Sequence, residues 1–232
     1  MLEELKKSVC LANKLLVQYG LVKFTWGNVS GINRKEGVIV IKPSGISYDE
    51  LTPADMVILN LDGKKIEGRY NPSIDAPTHV VLYKSFPNIG GIVHTHSHWA
   101  TVWAQAARSI PPYGTTHADF ANGEIPCTKP LSKPQIRSNY EEYTGKMIAM
   151  CFNETNVSTK DIPAVLVRSH GPFTWGNDCI EAVENSVILE EVAKLAWETE
   201  ILGWNQPIDS ALLEKHYSRK HGRNSYYGQN LL

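Results

Sequence analysis

One segment constrains the fold more than any other: GGIVHTHSHWATVWAQAA, residues 90–107, in which the hydrophobic period changes. Ile92 and Val93 continue an apolar run of the kind that forms a buried strand. Apolar residues then recur at spacings of three and four, as on one face of a helix, at Trp99, Val102, Trp103 and Ala106. Ser97 lies between the two patterns as a natural N-cap residue. The segment therefore predicts a strand that runs directly into a helix.

Histidines stand at the end of this strand and of a second one. His94 and His96 are two positions apart, so on a strand their side chains leave the same face and stand side by side. They could supply two nitrogen ligands to Zn²⁺ or a similar ion at about 2.0–2.1 Å; equally, one could be a hydrogen-bonded core histidine and the other exposed. His170 ends the apolar run AVLVRSH, directly before Gly171-Pro172. If the two strands are neighbours, three imidazoles converge and leave one coordination position open for substrate.

The rest of the pattern predicts a single α/β domain over residues 1–232, in three layers with helices packed over a central sheet. Short β-type runs occupy 22–29, GVIVIKPSG, MVILNLDGKKIEG and IPAVLVRSH, with Asp62-Gly63 as a hairpin turn. Helices are expected at the N-terminus up to Gly20, and over 77–85, 135–152 and 179–202. A basic C-terminal segment is expected to start as a helix and end as a tail.

Composition and charge narrow the function class. The chain has 232 residues, 42% of them hydrophobic, and a net charge of −1. Such neutrality argues against nucleic acid or an anionic membrane surface as the main partner. We find no apolar run long enough to span a membrane and no secretory signal, and the four cysteines form no C-x-x-C pair. A cytoplasmic protein with reduced thiols is the expectation.

Three further sites have two interpretations each. Asp75, in NPSIDAPTH, precedes a helix and suits an N-cap, but a carboxylate near a metal is also a ligand or a group that orients a histidine. The loops TWGN (25–28) and KPSG (42–45) end strands with exposed backbone N–H groups and small hydroxyls. Such loops either cradle phosphate or simply turn the chain.

Motifs along the whole chain resemble one family. In order they are KPSG, PSID, IVHTHS, GTTHAD, IPCT, SHGPF-W and a terminal KHY-RKHG-YYGQ. Together they closely resemble the L-ribulose-5-phosphate 4-epimerases of the class II aldolase/epimerase superfamily, which also contains L-fuculose-phosphate aldolase. The histidine motifs identify only the superfamily, whereas GTTHAD and YYGQ are more specific to the epimerase branch. The resemblance implies a mostly antiparallel sheet flanked by helices, and a homotetramer of fourfold symmetry with active sites between subunits.

The resemblance also implies roles for individual residues. Zn²⁺, or another divalent metal, would be bound by His94, His96 and His170, with Asp75 close to the metal. The substrate and phosphate pocket would be lined by Gly27, Asn28, Lys42, Ser44, Gly45, Ser73 and Ile74. Asp119 and Tyr227 match the acid/base pair. The tail 216–232, with His216 and Tyr227, would reach the active site of a neighbouring subunit.

One position departs from the family pattern. The chain has Ser73-Ile74-Asp75 where the epimerase motif usually reads Ser-Ser-Asp. The change removes a hydroxyl that could bind phosphate, which affects either the strength of phosphate binding or the identity of the sugar. A backbone N–H at Ile74 could still donate.

The implied reaction interconverts L-ribulose 5-phosphate and D-xylulose 5-phosphate. Because the ketone is at C2, C4 has no acidic hydrogen, so inversion requires retro-aldol cleavage of C3–C4, rotation of the aldehyde and re-addition. Zn²⁺ would act as the Lewis acid, and phosphate binding would retain the rotating fragment. The alternatives are a phospho-sugar aldolase of the L-fuculose-1-phosphate type, a zinc hydrolase or a non-catalytic metal-binding protein. A hydrolase should carry a motif such as H-E-x-x-H, which this chain lacks.

Overall fold

The computed structural model describes residues 2–155, 157–222 and 225–226. Seven strands are present in this part of the chain: β1 Asn28–Asn33, β2 Val38–Ile41, β3 Val57–Asn60, β4 Lys65–Glu67, β5 Gly91–His94, β6 Ala164–Val167 and β7 Gly171–Gly176. The α-helices are α1 Leu2–Gln18, α2 Ala76–Ser85, α3 His98–Gln105, α4 Thr115–Ala118, α5 Lys133–Ile136, α6 Tyr140–Thr155, α7 Cys179–Ile201 and α8 Ser210–His221. A short 3₁₀ helix spans Pro53–Asp55.

The strands form one sheet in the order β4-β3-β2-β1-β5-β7-β6, and every neighbouring pair is antiparallel. The α/β class and the mostly antiparallel sheet are therefore confirmed. The hairpin turn at Asp62-Gly63 is confirmed too, since it joins β3 to β4 with Gly63 at φ +80°, a left-handed conformation that favours glycine.

The sheet has a separate apolar core on each face. Val29, Val40 and Val93 point toward α1 and the start of α7. Their strand neighbours Ile39 and Ile92 point to the other face, where the core also includes residues of α2 and α6. Side chains alternate between faces along a strand, and burying a Val or Ile side chain contributes about 1.5–3 kcal/mol. These cores produce the predicted three layers.

The junction after β5 confirms the predicted change from strand to helix. Strand β5 ends at His94 and α3 begins at His98, with Ser97 in the N-cap position. The Ser97 side chain makes no cap hydrogen bond; the Glu190 carboxylate accepts from the Trp99 and Ala100 amides at 2.8 and 3.1 Å instead. A carboxylate at a helix N-terminus also interacts favourably with the helix dipole. Helix α7 therefore anchors the loop that carries His96.

Other boundaries differ from expectation. The strand expected over 22–29 begins only at Asn28, because the chain turns at Phe24 with φ +52°. The helix expected over 135–152 is two helices, α5 and α6, separated by a break after Arg137. His96 lies beyond the end of β5 rather than on it. None of the described helices combines the length and apolar character that crossing a membrane requires.

The order of the strands positions the functional residues. Strand β5 lies between β1 and β7, and the register pairs His94 with Asn28 on one side and with Phe173 on the other. Strands β6 and β7 are joined by a tight turn in which the His170 amide donates to the Val167 carbonyl at 3.0 Å. The start of β1, the end of β5 and the β6–β7 turn therefore meet at one end of the sheet.

Candidate metal centre and substrate pocket

Three histidines converge where these elements meet. The ligand nitrogens of His94, His96 and His170 all lie within 4.8 Å of one another. Their ring centroids are 4.7–5.1 Å apart and each pair is edge to face. Nitrogen ligands of one tetrahedral Zn²⁺ at about 2.0–2.1 Å stand roughly 3.4 Å apart, so small ring rotations would close this group on an ion.

The His94 ring is fixed with its Nε2 available to a metal. Its Nδ1 lies 3.0 Å from the Pro172 carbonyl oxygen. Because a carbonyl only accepts hydrogen bonds, Nδ1 carries the proton and Nε2 carries the lone pair. Phe173 stacks on the same ring at 4.2 Å between centroids. Such a carbonyl partner is a regular feature of histidines that bind metals, since it sets both the tautomer and the ring orientation.

His170 is held by its turn and by a tyrosine. Its Nδ1 lies 3.1 Å from the Tyr140 hydroxyl, at the start of α6. Burial, together with the neighbouring His94 and His96, lowers the pKa of His170 to about 3, so the ring is neutral at pH 7 and keeps one nitrogen lone pair for a metal. The next residue must be small, because a Cβ at Gly171 would lie 2.7 Å from the Thr95 carbonyl oxygen. The donor set, three imidazoles with at least one fixed tautomer, fits a divalent ion such as Zn²⁺.

Asp75 stands beside the three histidines at the N-cap position of α2. It makes no side-chain cap hydrogen bond; its Oδ2 accepts from Asn28 Nδ2 at 2.7 Å instead. Burial raises the pKa of this carboxyl, but electrostatic interactions with His94 and His79 and the Asn28 hydrogen bond more than offset it, so the pKa lies below its usual range. Asp75 therefore stays ionised next to the imidazoles.

A cavity of about 320 Å³ opens in front of this group. Eleven of the residues singled out in the sequence line it: Gly27, Asn28, Lys42, Ser44, Gly45, Ser73, Ile74, Asp75, His94, His96 and His170. The loops TWGN and KPSG thus border the same cavity as the histidines, which favours a binding role for them over that of plain turns. Their individual roles stay predictions.

Lys42 is a buried cation at the wall of this cavity. Only 1% of it is exposed, its Nζ donates to the Pro43 carbonyl at 3.3 Å, and it lies 4.7 Å from the centre of the Tyr48 ring. Burial lowers its pKa to about 8, so it is still mostly charged at neutral pH. A buried ammonium with so few acceptors suits an anionic ligand such as a phosphate.

Asp119 and His216 lie together, but not in this cavity. Asp119 follows α4 and accepts from His216 Nδ1 at 3.1 Å and from both Arg219 Nε and Nη2, at 3.1 and 2.7 Å. Burial raises the pKa of Asp119, but the hydrogen bonds from Arg219 and His216 outweigh this and lower it. Helix α8 thus binds α4 of its own chain. Tyr227 lies outside the described residues.

Two residues that line the cavity were missed by the sequence analysis. Tyr140 and Glu141 begin α6 and line the cavity, and the Tyr140 hydroxyl contacts His170. No local pattern marks them, because their segment reads as the interior of a longer helix. Only the break after α5 brings the first turn of α6 to the cavity.

Comparisons with known proteins agree with this arrangement. Residues 7–197 match the family model described as the class II aldolase and adducin N-terminal domain. Proteins of Salmonella paratyphi A and Salmonella typhi named L-ribulose-5-phosphate 4-epimerase UlaF are 51% identical to this chain over 230 residues, covering 98% of it and 100% of their own length.

Solved structures show the same fold. An L-fuculose 1-phosphate aldolase superposes with a TM-score of 0.78 at 23% identity, covering 93% of this chain and 95% of its own. A putative aldolase/epimerase/decarboxylase, YgbL from Escherichia coli, gives 0.72 at 25% identity, covering 94% and 99%. The resemblance found in the sequence is confirmed, and the chain belongs to the class II aldolase family.

Proposed function

We propose that this chain is a metal-dependent epimerase that interconverts L-ribulose 5-phosphate and D-xylulose 5-phosphate by cleaving and re-forming C3–C4. The observation that carries the proposal is the convergence of three imidazoles beside the buried cation Lys42 in one cavity. The 51% identity to relatives of that name supports the choice of substrate.

The proposed metal ion is Zn²⁺, bound by His94, His96 and His170 with Asp75 beside it. When bound, it would supply a Lewis acid for the ketone oxygen of the substrate. Neutral imidazoles are the ligands that this ion prefers, together with thiolates and carboxylates.

The phosphate is proposed to lie between the loops TWGN and KPSG. Lys42 provides the buried positive charge, and Ser44 and Ser73 provide hydroxyls at the same wall of the cavity. Gly45 has φ +70°, a left-handed conformation that lets the loop curve around a ligand. Retention of the phosphate allows the aldehyde fragment to rotate before re-addition without leaving the protein.

The proposed acid/base pair is Asp119 and Tyr227, which move the proton of the C4 hydroxyl on opposite faces of the substrate. Asp119 does not line the cavity with the histidines in its own chain, and it is hydrogen-bonded to His216. A neighbouring subunit that contributes His216 would therefore contribute Asp119 with it. This supports a homotetramer whose active sites lie between subunits, each subunit being one domain over 1–232 with the tail 216–232 at the interface. The protein is proposed to be cytoplasmic, and its four cysteines are free thiols.

The experiment is a substrate comparison with the purified, zinc-loaded protein. It is incubated with L-ribulose 5-phosphate and, separately, with L-fuculose 1-phosphate, while D-xylulose 5-phosphate and free aldehyde are measured. We expect D-xylulose 5-phosphate without accumulation of aldehyde. Stoichiometric aldehyde from L-fuculose 1-phosphate, with no epimerisation, would show an aldolase and refute the proposal.

A further inference from the structure

The imidazole of His79 is buried next to the site but has no part in the roles described above. His79 lies in α2 and none of it is exposed. Its Nδ1 is 2.7 Å from the Ser30 hydroxyl, which is also 2.9 Å from the Tyr83 hydroxyl. Its Nε2 is buried and has no hydrogen-bond partner among the described residues. Because leaving a buried polar atom unpaired is unfavourable, a second partner in the working protein is expected.

His79 belongs to a buried polar seam formed by Asp75, His79 and Tyr83 of α2 with Asn28 and Ser30 of β1. Helix residues four apart are separated by about 6.0 Å along the axis. Strand residues two apart are separated by about 6.8 Å. The two spacings nearly match, so successive turns of α2 face successive same-face residues of β1. The seam begins at the Asp75–Asn28 hydrogen bond and continues one turn later at His79 and Ser30.

The position of the His79 proton follows from its neighbours. Burial lowers the pKa of His79 to about 3, so the ring is neutral and carries one N–H. Asp75 lies one helical turn before His79, whose amide donates to the Asp75 carbonyl at 3.2 Å, and its carboxylate interacts electrostatically with the His79 ring. With the proton on Nδ1, the bare Nε2 lone pair would be left near an anion. With the proton on Nε2, Nδ1 accepts from Ser30 and the N–H dipole is available to the carboxylate.

We propose that His79 is a positioning residue of the metal site. In the metal-loaded protein its Nε2–H hydrogen-bonds to the Asp75 carboxylate and, with Asn28, fixes the orientation of that carboxylate beside the ion. The inference rests on the proposed function, because it requires a divalent ion at the three histidines. Partners of this kind change metal affinity by about 10–100-fold when they are removed.

The test measures metal affinity in two variants. His79→Phe keeps a ring of similar volume without a donor, whereas His79→Gln keeps an amide N–H at a similar reach. The dissociation constant for Zn²⁺ is measured by competition with a chelator, and the unfolding temperature is measured without metal. We expect Zn²⁺ binding to be at least tenfold weaker in His79→Phe and within threefold of the wild type in His79→Gln. The control His98→Gln should show no change, since His98 is exposed and packs on Trp99.

Three outcomes overturn the inference. The first is wild-type Zn²⁺ affinity in His79→Phe. The second is an equal loss in both variants that follows their unfolding temperatures, because that would indicate a purely structural role. The third is a proton on Nδ1 of His79 in ¹⁵N NMR spectra of the wild-type protein. This measurement does not require a variant to fold. We expect the Nε2–H tautomer and a shift of its resonance on adding Zn²⁺. If the wild type binds no divalent ion, the proposed function fails together with this inference. If the wild type binds the ion and His79→Phe binds it equally well, only this inference fails.

Discussion

Lys42 is predicted to lower the free energy of unfolding of the protein, because its charge is buried, although the proposed function requires it. The residue is 1% exposed, and burial lowers its pKa from 10.5 to about 8. A shift of one pKa unit corresponds to about 1.4 kcal/mol, so charging Lys42 in the folded protein costs about 3 kcal/mol at pH 7. Replacement by methionine, which keeps the apolar stem, should therefore increase the free energy of unfolding at pH 7 by about 3 kcal/mol.

The stability difference between Lys42→Met and the wild type should change with pH, whereas a difference caused by packing alone would not. The folded pKa lies below the unfolded one, so between about pH 8 and 10.5 the unfolded chain binds more protons than the folded one. The stability contribution of Lys42 therefore rises with pH through that window, and its penalty falls from about 3 to about 1 kcal/mol between pH 7 and pH 10. The advantage of Lys42→Met over the wild type should shrink by about 2 kcal/mol over the same range.

Urea unfolding of the phosphate-free protein at pH 7 and pH 10 measures both quantities. Groups common to the two proteins cancel in the difference. Lys14→Met is the control, since Lys14 is exposed and its replacement removes no buried charge. The variant should also raise KM for the sugar phosphate by about 10-fold or more, as expected from losing a hydrogen bond to a charged group worth about 1.5–3 kcal/mol. A Lys42→Met protein less stable than the wild type at pH 7, or a stability difference that does not change with pH, would refute the reasoning.

Three further predictions concern the site. His96→Ala should lose both bound metal and turnover, measured by metal analysis and epimerase assay, whereas His98→Ala should retain both; full metal content in His96→Ala would remove His96 from the site. Ile74→Ser should lower KM about fivefold, which corresponds to one hydrogen bond of about 1 kcal/mol, because the new hydroxyl would lie at the cavity rim, where Ile74 is 70% exposed. An unchanged KM would show that phosphate is bound without this hydroxyl. Mixing inactive Tyr227→Phe with inactive His96→Ala should restore part of the activity, since some interfaces would combine an intact metal site with an intact tyrosine; mixtures that exchange subunits, as shown by mass, without rescue would place Tyr227 elsewhere.

The sequence predicted the histidines because their signal is local. An apolar run that ends in a histidine and is followed by a helix or a turn places the imidazole at the end of a strand, whatever the rest of the chain does. The strands that precede His94 and His170, β5 and β6, are not neighbours as expected; β7 lies between them, and the β6–β7 turn brings His170 to the end of β5.

The pentapeptide FTWGN shows why other features could not be predicted locally. In its first copy Phe24 is 83% exposed at φ +52°, at a turn before β1. In its second copy Phe173 is fully buried within β7 and stacks on His94. The same five residues form a loop or a strand according to whether β5 and β6 lie alongside to pair with them, so tertiary pairing decides. Tyr140 and Glu141 were not marked either, because only the break between α5 and α6 brings them to the cavity.

Several energetically unfavourable features of the fold lie at the end of the sheet where the cavity opens: a buried charge, unpaired polar atoms and a strained backbone position. Lys42 is a buried charge, and Asn28 Oδ1 and His79 Nε2 are two of four buried side-chain atoms that have no hydrogen-bond partner among the described residues. Ser169, next to His170, adopts φ +60° although it carries a Cβ. The two apolar cores along the rest of the sheet supply the stability that offsets these features. Lys42 and Asn28 line the cavity, so a bound phosphate or metal ion would offset part of this cost. Ligand binding should therefore stabilise this protein more than its contact area alone implies, and substitutions that stabilise the free protein at these positions should weaken the site.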